Sequence, residues 1–172
     1  MKNIMLLVSI LMLSAFAAEA QNYYYNGPTA VGDSVTYNIK VAVGPVIELS
    51  NINNRYDKIE QIRLDGKTIN SLDVKRYSAK NEDATDNAVR AAFDAEHVQW
   101  FYEGDEPRPT IILIVDPNSG DVIEVRFMFN NETRWGTVSP NYFYRLEQEI
   151  KRNVKIVVTG DDKNYNYLSL DS

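Results

Sequence analysis

The chain has 172 residues, with 24 acidic and 18 basic side chains, one histidine, no cysteine and a formal net charge of −6. The missing cysteine excludes disulfides, zinc ribbons, iron–sulfur clusters, cysteine nucleophiles and an acylated cysteine at a leader junction. The acidic balance, with Lys and Arg scattered, gives no electrostatic footprint for nucleic acid and disfavours an anionic membrane surface.

Lys2 precedes an almost uninterrupted apolar run from Ile4 to Phe16, and Ala18-Glu19-Ala20 has the small-x-small pattern that signal peptidase reads. Together they predict a cleavable signal peptide over residues 1–20 and a mature chain starting at Gln21. The run is too short for a membrane span and no stop-transfer charges follow it. A retained N-terminal anchor is the rival reading. The style of the leader and the lack of cysteine point to a bacterial envelope or secreted protein, periplasmic or extracellular. About 150 residues can bury a core without disulfides, so one domain over 34–172 is expected behind an arm at 21–33.

That arm, QNYYYNGPTAVGD, is polar and aromatic, with Gly27, Pro28 and Gly32 as breakers. Tyr23, Tyr24 and Tyr25 read either as an exposed binding patch or as rings folded back onto the body. Residues 34–43 alternate: Val35, Tyr37, Ile39, Val41 and Val43 share one face of a half-buried strand. Gly44-Pro45 breaks it, Val46–Leu49 forms a second strand, and Asn51, Asn53 and Asn54 mark a turn. Asp65-Gly66, between Ile62/Leu64 and Thr68/Ile69, signals a hairpin, because a tight turn of that hand needs positive φ.

Residues 80–101 read as a helix capped at Thr85 or Asp86, with Phe93 and Trp100 as core anchors. The acids and prolines of 103–109 end it. In TIILIVDPNSGDVIEVRFMFNN, residues 110–131, both faces of the first strand are apolar, which predicts a central strand. Pro117 and Gly120 suit the intervening turn. On the second strand Ile123, Val125, Phe127 and Phe129 are expected inward and Glu124 and Arg126 outward. Ser139-Pro140 starts a second helix over 141–153, with Phe143, Leu146 and Ile150 on its buried stripe and Lys151-Arg152 at its end. Val154, Ile156 and Val158 alternate as a strand, and Tyr165, Tyr167, Leu168 and Leu170 suggest an edge strand or a sticky tail. The order predicts an α+β fold: an antiparallel sheet with two main helices on one face, in an order that admits two hairpin–helix units.

IILIVDPNSGDVIEVRFMF, Ser-Pro, the helix and NVKIVV resemble the hairpin–helix–strand of the TonB C-terminal domain family, over residues 110–159. The long Pro-rich segment and membrane anchor of that family are missing, so energy transduction is not implied. The whole chain is similar to small exported Bacteroidetes proteins of unknown function. That resemblance makes Asp33-Ser34-Val35 similar to the O-glycosylation acceptor of the group; the plain alternative is a strand start.

No catalytic constellation emerges. His97 is the sole histidine, beside Asp94 and Glu96 on a helix, and has no spaced metal-binding partner. The acids at Glu103, Asp105 and Glu106 and at Asp161 and Asp162 read as solvated loops. DPNSGD, residues 116–121, lacks the ligand spacing of a calcium loop. No cofactor or metal is expected. The expectation is therefore a non-enzymatic exported module that binds a protein or a surface in the envelope. Tyr23, Tyr24, Tyr25, Trp135, Tyr165 and Tyr167 are its candidate contact residues, because Tyr suits interfaces. The alternatives are a glycan-binding accessory protein using exposed Tyr and Trp, and a small hydrolase centred on His97.

Overall fold

The computed structural model describes residues 23–24, 27–67, 87, 90–92 and 107–171. The fold is α+β. Among the described residues six strands form one antiparallel sheet: β1 (Thr29–Val31), β2 (Thr36–Val43), β3 (Val46–Asn51), β4 (Thr110–Val115), β5 (Val122–Asn130) and β6 (Leu168–Asp171). Their spatial order is β1-β2-β3-β5-β4-β6. The stretch with two apolar faces thus supplies two of the interior strands.

Register explains the core. Leu49 pairs with Phe127 and Ile47 with Phe129, while Ile111 lies opposite Phe127 and Leu113 opposite Val125. One sheet face is therefore a continuous apolar surface. Helix α1 (Pro140–Asn153) covers it with Phe143, Leu146 and Ile150, as the helical spacing predicts. Ser139 caps α1 by accepting from the Asn141 N–H, and Pro140 occupies the first turn, where its missing N–H costs nothing. Phe143 is fully buried. Its ring lies 5.0 Å from that of Phe127 and stacks on Phe129 at 5.2 Å.

The turn between β4 and β5 rests on Gly120, at φ +77°. A Cβ there would lie 2.2 Å from the Ile156 carbonyl oxygen. Only glycine permits that approach, across which the Ile156 N–H donates to the Gly120 carbonyl at 2.8 Å. The strand expected over 154–158 is replaced by this docking. Val154 and Ile156 are buried, but the segment makes isolated bridging rather than a ladder, Asp121 pairing with Lys155. The sheet edge beside β4 belongs instead to β6, with Leu170 opposite Leu113 and Leu168 opposite Val115.

Several expectations shift. Thr29–Val31 of the predicted arm pairs with β2 as an edge strand. The alternation along β2 breaks at an irregularity between Val41 and Val43. Gly66 takes positive φ, as the Asp-Gly signal requires, but Arg63 bridges to Tyr165; Thr68 and Ile69 lie outside the described residues. Asn87, Arg90, Ala91 and Ala92 are helical, and Ala92 is buried in the core. The rest of the helix expected over 80–101, with Phe93 and Trp100, lies outside the described residues, as does the leader.

Candidate functional site

Past the end of β3 the chain turns sharply and crosses the sheet beside the start of β5. The turn is built from asparagines. The Asn54 N–H donates to the Asn51 carbonyl at 2.8 Å, and the Asn53 N–H donates to Asn51 Oδ1 at 3.1 Å. Short amide side chains substitute for main-chain partners in such turns. The next two main-chain N–H groups, of Arg55 and Tyr56, donate to the carboxylate of Glu124 on β5. Glu124, expected to point to solvent, is 6% exposed beneath this segment.

On the other side of the turn lies Glu147 of α1, 1% exposed. Its Oε2 accepts from the Tyr37 hydroxyl at 2.9 Å and from Asn51 Nδ2 at 3.2 Å. Its Oε1 accepts from Lys151 Nζ at 2.5 Å, one helical turn along. A carboxylate this deep is tolerable only with such a set of donors. Burial, reinforced by the adjoining Glu147 carboxylate, raises the pKa of the Tyr37 phenol far above its ordinary value.

Between the two carboxylates opens a cleft of about 330 Å³. Asn51, Asn53 and Asn54 form its rim, and Arg55 and Tyr56 extend it. Ile123 and Glu124 line it from β5, and Glu147 and Lys151 from α1. Beyond Glu124 on the same sheet face, Arg126 holds Glu48 at 3.6 Å and Asp57 at 2.6 Å. The Asp57 contact lies off the N–H axis of Arg126 Nε, so it is an ion pair rather than a hydrogen bond.

Of the six aromatic residues expected to form a binding surface, three are interior. Tyr24 is 3% exposed, packs edge-on against Phe129 and donates its hydroxyl to the Val138 carbonyl at 2.7 Å. Trp135 is 1% exposed and donates Nε1 to the Pro107 carbonyl at 3.0 Å. Tyr167 is 7% exposed, donates to the Ile59 carbonyl and lies against the Tyr56 ring at 4.8 Å. Each ring found an apolar bed and each polar handle a carbonyl, which removes all three as an exposed stacking platform. Tyr23 is half-buried; Tyr165 is also half-buried, with the Arg63 guanidinium 5.1 Å from its ring centre. Tyr25 and His97 lie outside the described residues, as do Glu103, Asp105 and Glu106. Asp162 is buried and Asp161 exposed. Among the described residues no group of three or more His, Asp or Glu is placed to hold a metal ion, and no helix is long and apolar enough to cross a membrane.

The sequence pattern singles out neither carboxylate as a site residue, and it places Glu124 outward. Glu147 could have been found: it lies on the i, i+3, i+4, i+7 stripe with Phe143, Leu146 and Ile150, where a carboxylate is out of place. Glu124 carried no such signal, because burial of the second sheet face depends on a distant loop.

A single antiparallel sheet sealed on one face by a long helix, with a polar cleft at the strand ends, defines an α+β sheet-and-helix domain. Residues 21–171 match the family described as Domain of unknown function (DUF5043), and the chain belongs to that family. The chain is also similar to the crystal structure of a DUF5043 family protein from Bacteroides uniformis. The TM-score is 0.72 at 21% identity, over 88% of this chain and 92% of that one, a likeness of fold.

Proposed function

We propose that the protein is an exported, non-catalytic binding module that docks a partner protein through the projecting end of the β2–β3 hairpin. One observation carries this reading. The apolar stripe of β2 runs from buried Val35 and Tyr37 through half-buried Ile39 to Val41, 67% exposed, with Val43 beyond it at 78%. Residues 41–45, Val-Ala-Val-Gly-Pro, are all exposed and carry no charge. β-branched residues left bare at a hairpin end favour an apolar protein partner over water. The absence of basic residues there, on a chain of net charge −6, argues against an anionic lipid surface.

Two further features support the reading. Both buried carboxylates of the cleft are engaged by protein donors, as suits a structural framework rather than a proton-transfer site. The apolar run and Ala18-Glu19-Ala20 support export, and the family match begins directly after them. The test immobilises residues 21–172 and measures retention of envelope proteins. Val41→Asp should abolish retention of a saturable partner without lowering the melting temperature. Equal retention by wild type and variant contradicts the reading, and so does turnover of any retained molecule.

A further inference from the structure

We infer that the cleft between the asparagine turn and α1 binds a small, neutral, polyhydroxylated ligand, a single sugar ring or a molecule like it. The inference is independent of the hairpin docking proposed above. It rests on which polar groups the fold has already used and which it leaves over. Asn51 is spent, its Nδ2 on Glu147 and its Oδ1 on the Asn53 N–H. Glu147 has three donors. Asn54 gives Nδ2 to the Val125 carbonyl and keeps Oδ1 uncommitted.

What remains is mixed. Among the described residues the Asn53 side-chain amide and the Arg55 guanidinium make no hydrogen bond or ion pair, and both residues are exposed. Lys151 Nζ has given one of its three hydrogens to Glu147. The cleft therefore offers uncommitted donors from Arg55, Lys151 and Asn53, and uncommitted acceptors from Asn53 and Asn54. Its formal charges cancel: Glu124 and Glu147 against Arg55 and Lys151. With no net formal charge, the lining as a whole favours neither an anion nor a cation. A hydroxyl both donates and accepts, so vicinal hydroxyls match the leftover set.

The volume fits one ring rather than a chain, lying at the low end of small-molecule sites, about 300–1,000 Å³. Tyr56 and Ile123 give the site some apolar wall for the carbon face of a sugar. The rim is also held in advance. The turn is tied to Asn51 and Glu124 through main-chain N–H groups, so little ordering remains to oppose binding.

The experiment uses residues 21–172 and amide and side-chain NMR. The probes are galactose, N-acetylglucosamine, methyl β-galactoside as the mimic of a glycan terminus, and charged counterparts glucuronate and glucosamine. The expected result is saturable shifts at Asn53, Asn54 and Arg55 with at least one neutral probe, weakened about tenfold or more in Asn53→Ala and Arg55→Ala, whose folds are unchanged. The free sugar binding more tightly than the methyl glycoside identifies a free ligand; the reverse identifies a chain end. Absence of saturable shifts at millimolar concentration, stronger binding of a charged probe, or binding by both variants as tight as by the wild type overturns the inference.

Discussion

Tyr37 and Val41 occupy one strand and one sheet face, paired opposite Asn51 and Ile47, yet their surroundings differ completely. Tyr37 has no exposed surface and sends its hydroxyl to Glu147 on α1. Val41 is 67% exposed. Alternation along a strand says which residues share a face. It does not say how far the covering layer extends. At the base of the hairpin the helix closes over the strand, and a polar network joins the two. At the tip the same pattern continues beyond that cover, and apolar side chains meet water.

Four perturbations probe the difference between base and tip. The largest effect belongs to the helix that makes the base different from the tip. Phe143→Ala empties the centre of the ring cluster with Phe127 and Phe129, and should cost about 3–5 kcal/mol in urea unfolding. A loss under about 1 kcal/mol would mean that α1 does not seal the sheet as described.

Next comes the network at the base. Glu147→Ala strands the Tyr37 hydroxyl and the Asn51 amide and should cost about 3 kcal/mol by the same measurement. Lys151→Met should cost less, because Glu147 keeps two donors.

The third perturbation is pH. The Tyr37 and Tyr24 phenols have pKa values raised chiefly by burial. An unfolded tyrosine loses its proton near about pH 10, whereas the folded pair keeps its protons beyond that. Their contribution to stability is thus complete below about pH 10 and declines as pH rises further. Urea midpoints between about pH 8 and pH 11 should fall only in the upper part, and Tyr37→Phe should flatten that fall. A midpoint independent of pH in wild type would place both phenols in contact with solvent.

The smallest effect is at the tip, where Val43→Asp should change stability by no more than about 0.5 kcal/mol. A large loss would show that the hairpin end is part of the core.

Much of the fold could be read from residue order. The two strands around Asp-Pro-Asn-Ser-Gly, the Ser139-Pro140 helix start and the stripe of Phe143, Leu146 and Ile150 are local signals, and the structure has all of them. The segment from Val154 to Val158 misled because alternation alone cannot distinguish a ladder strand from a chain pressed against a turn. Its place in the fold depends on a contact at Gly120 far back in the sequence. The site was less legible still. Tyr24, Trp135 and Tyr167 suggested a surface, but each has a distant carbonyl for its polar end, and such pairings leave no trace in sequence. Asn51, Asn53 and Asn54 mark a turn in the sequence and form one in the structure; that the turn frames a cleft follows from Glu124 and Glu147 approaching from two other elements.

The docking end of the hairpin is tested most directly by site-specific photo-crosslinking in intact cells. A photo-reactive side chain would replace Val43, with Arg152, exposed at the end of α1, as the control position. A discrete adduct is expected from position 43, absent from position 152 and abolished by Val41→Asp. No adduct at position 43, or the same adduct from both positions, would contradict it.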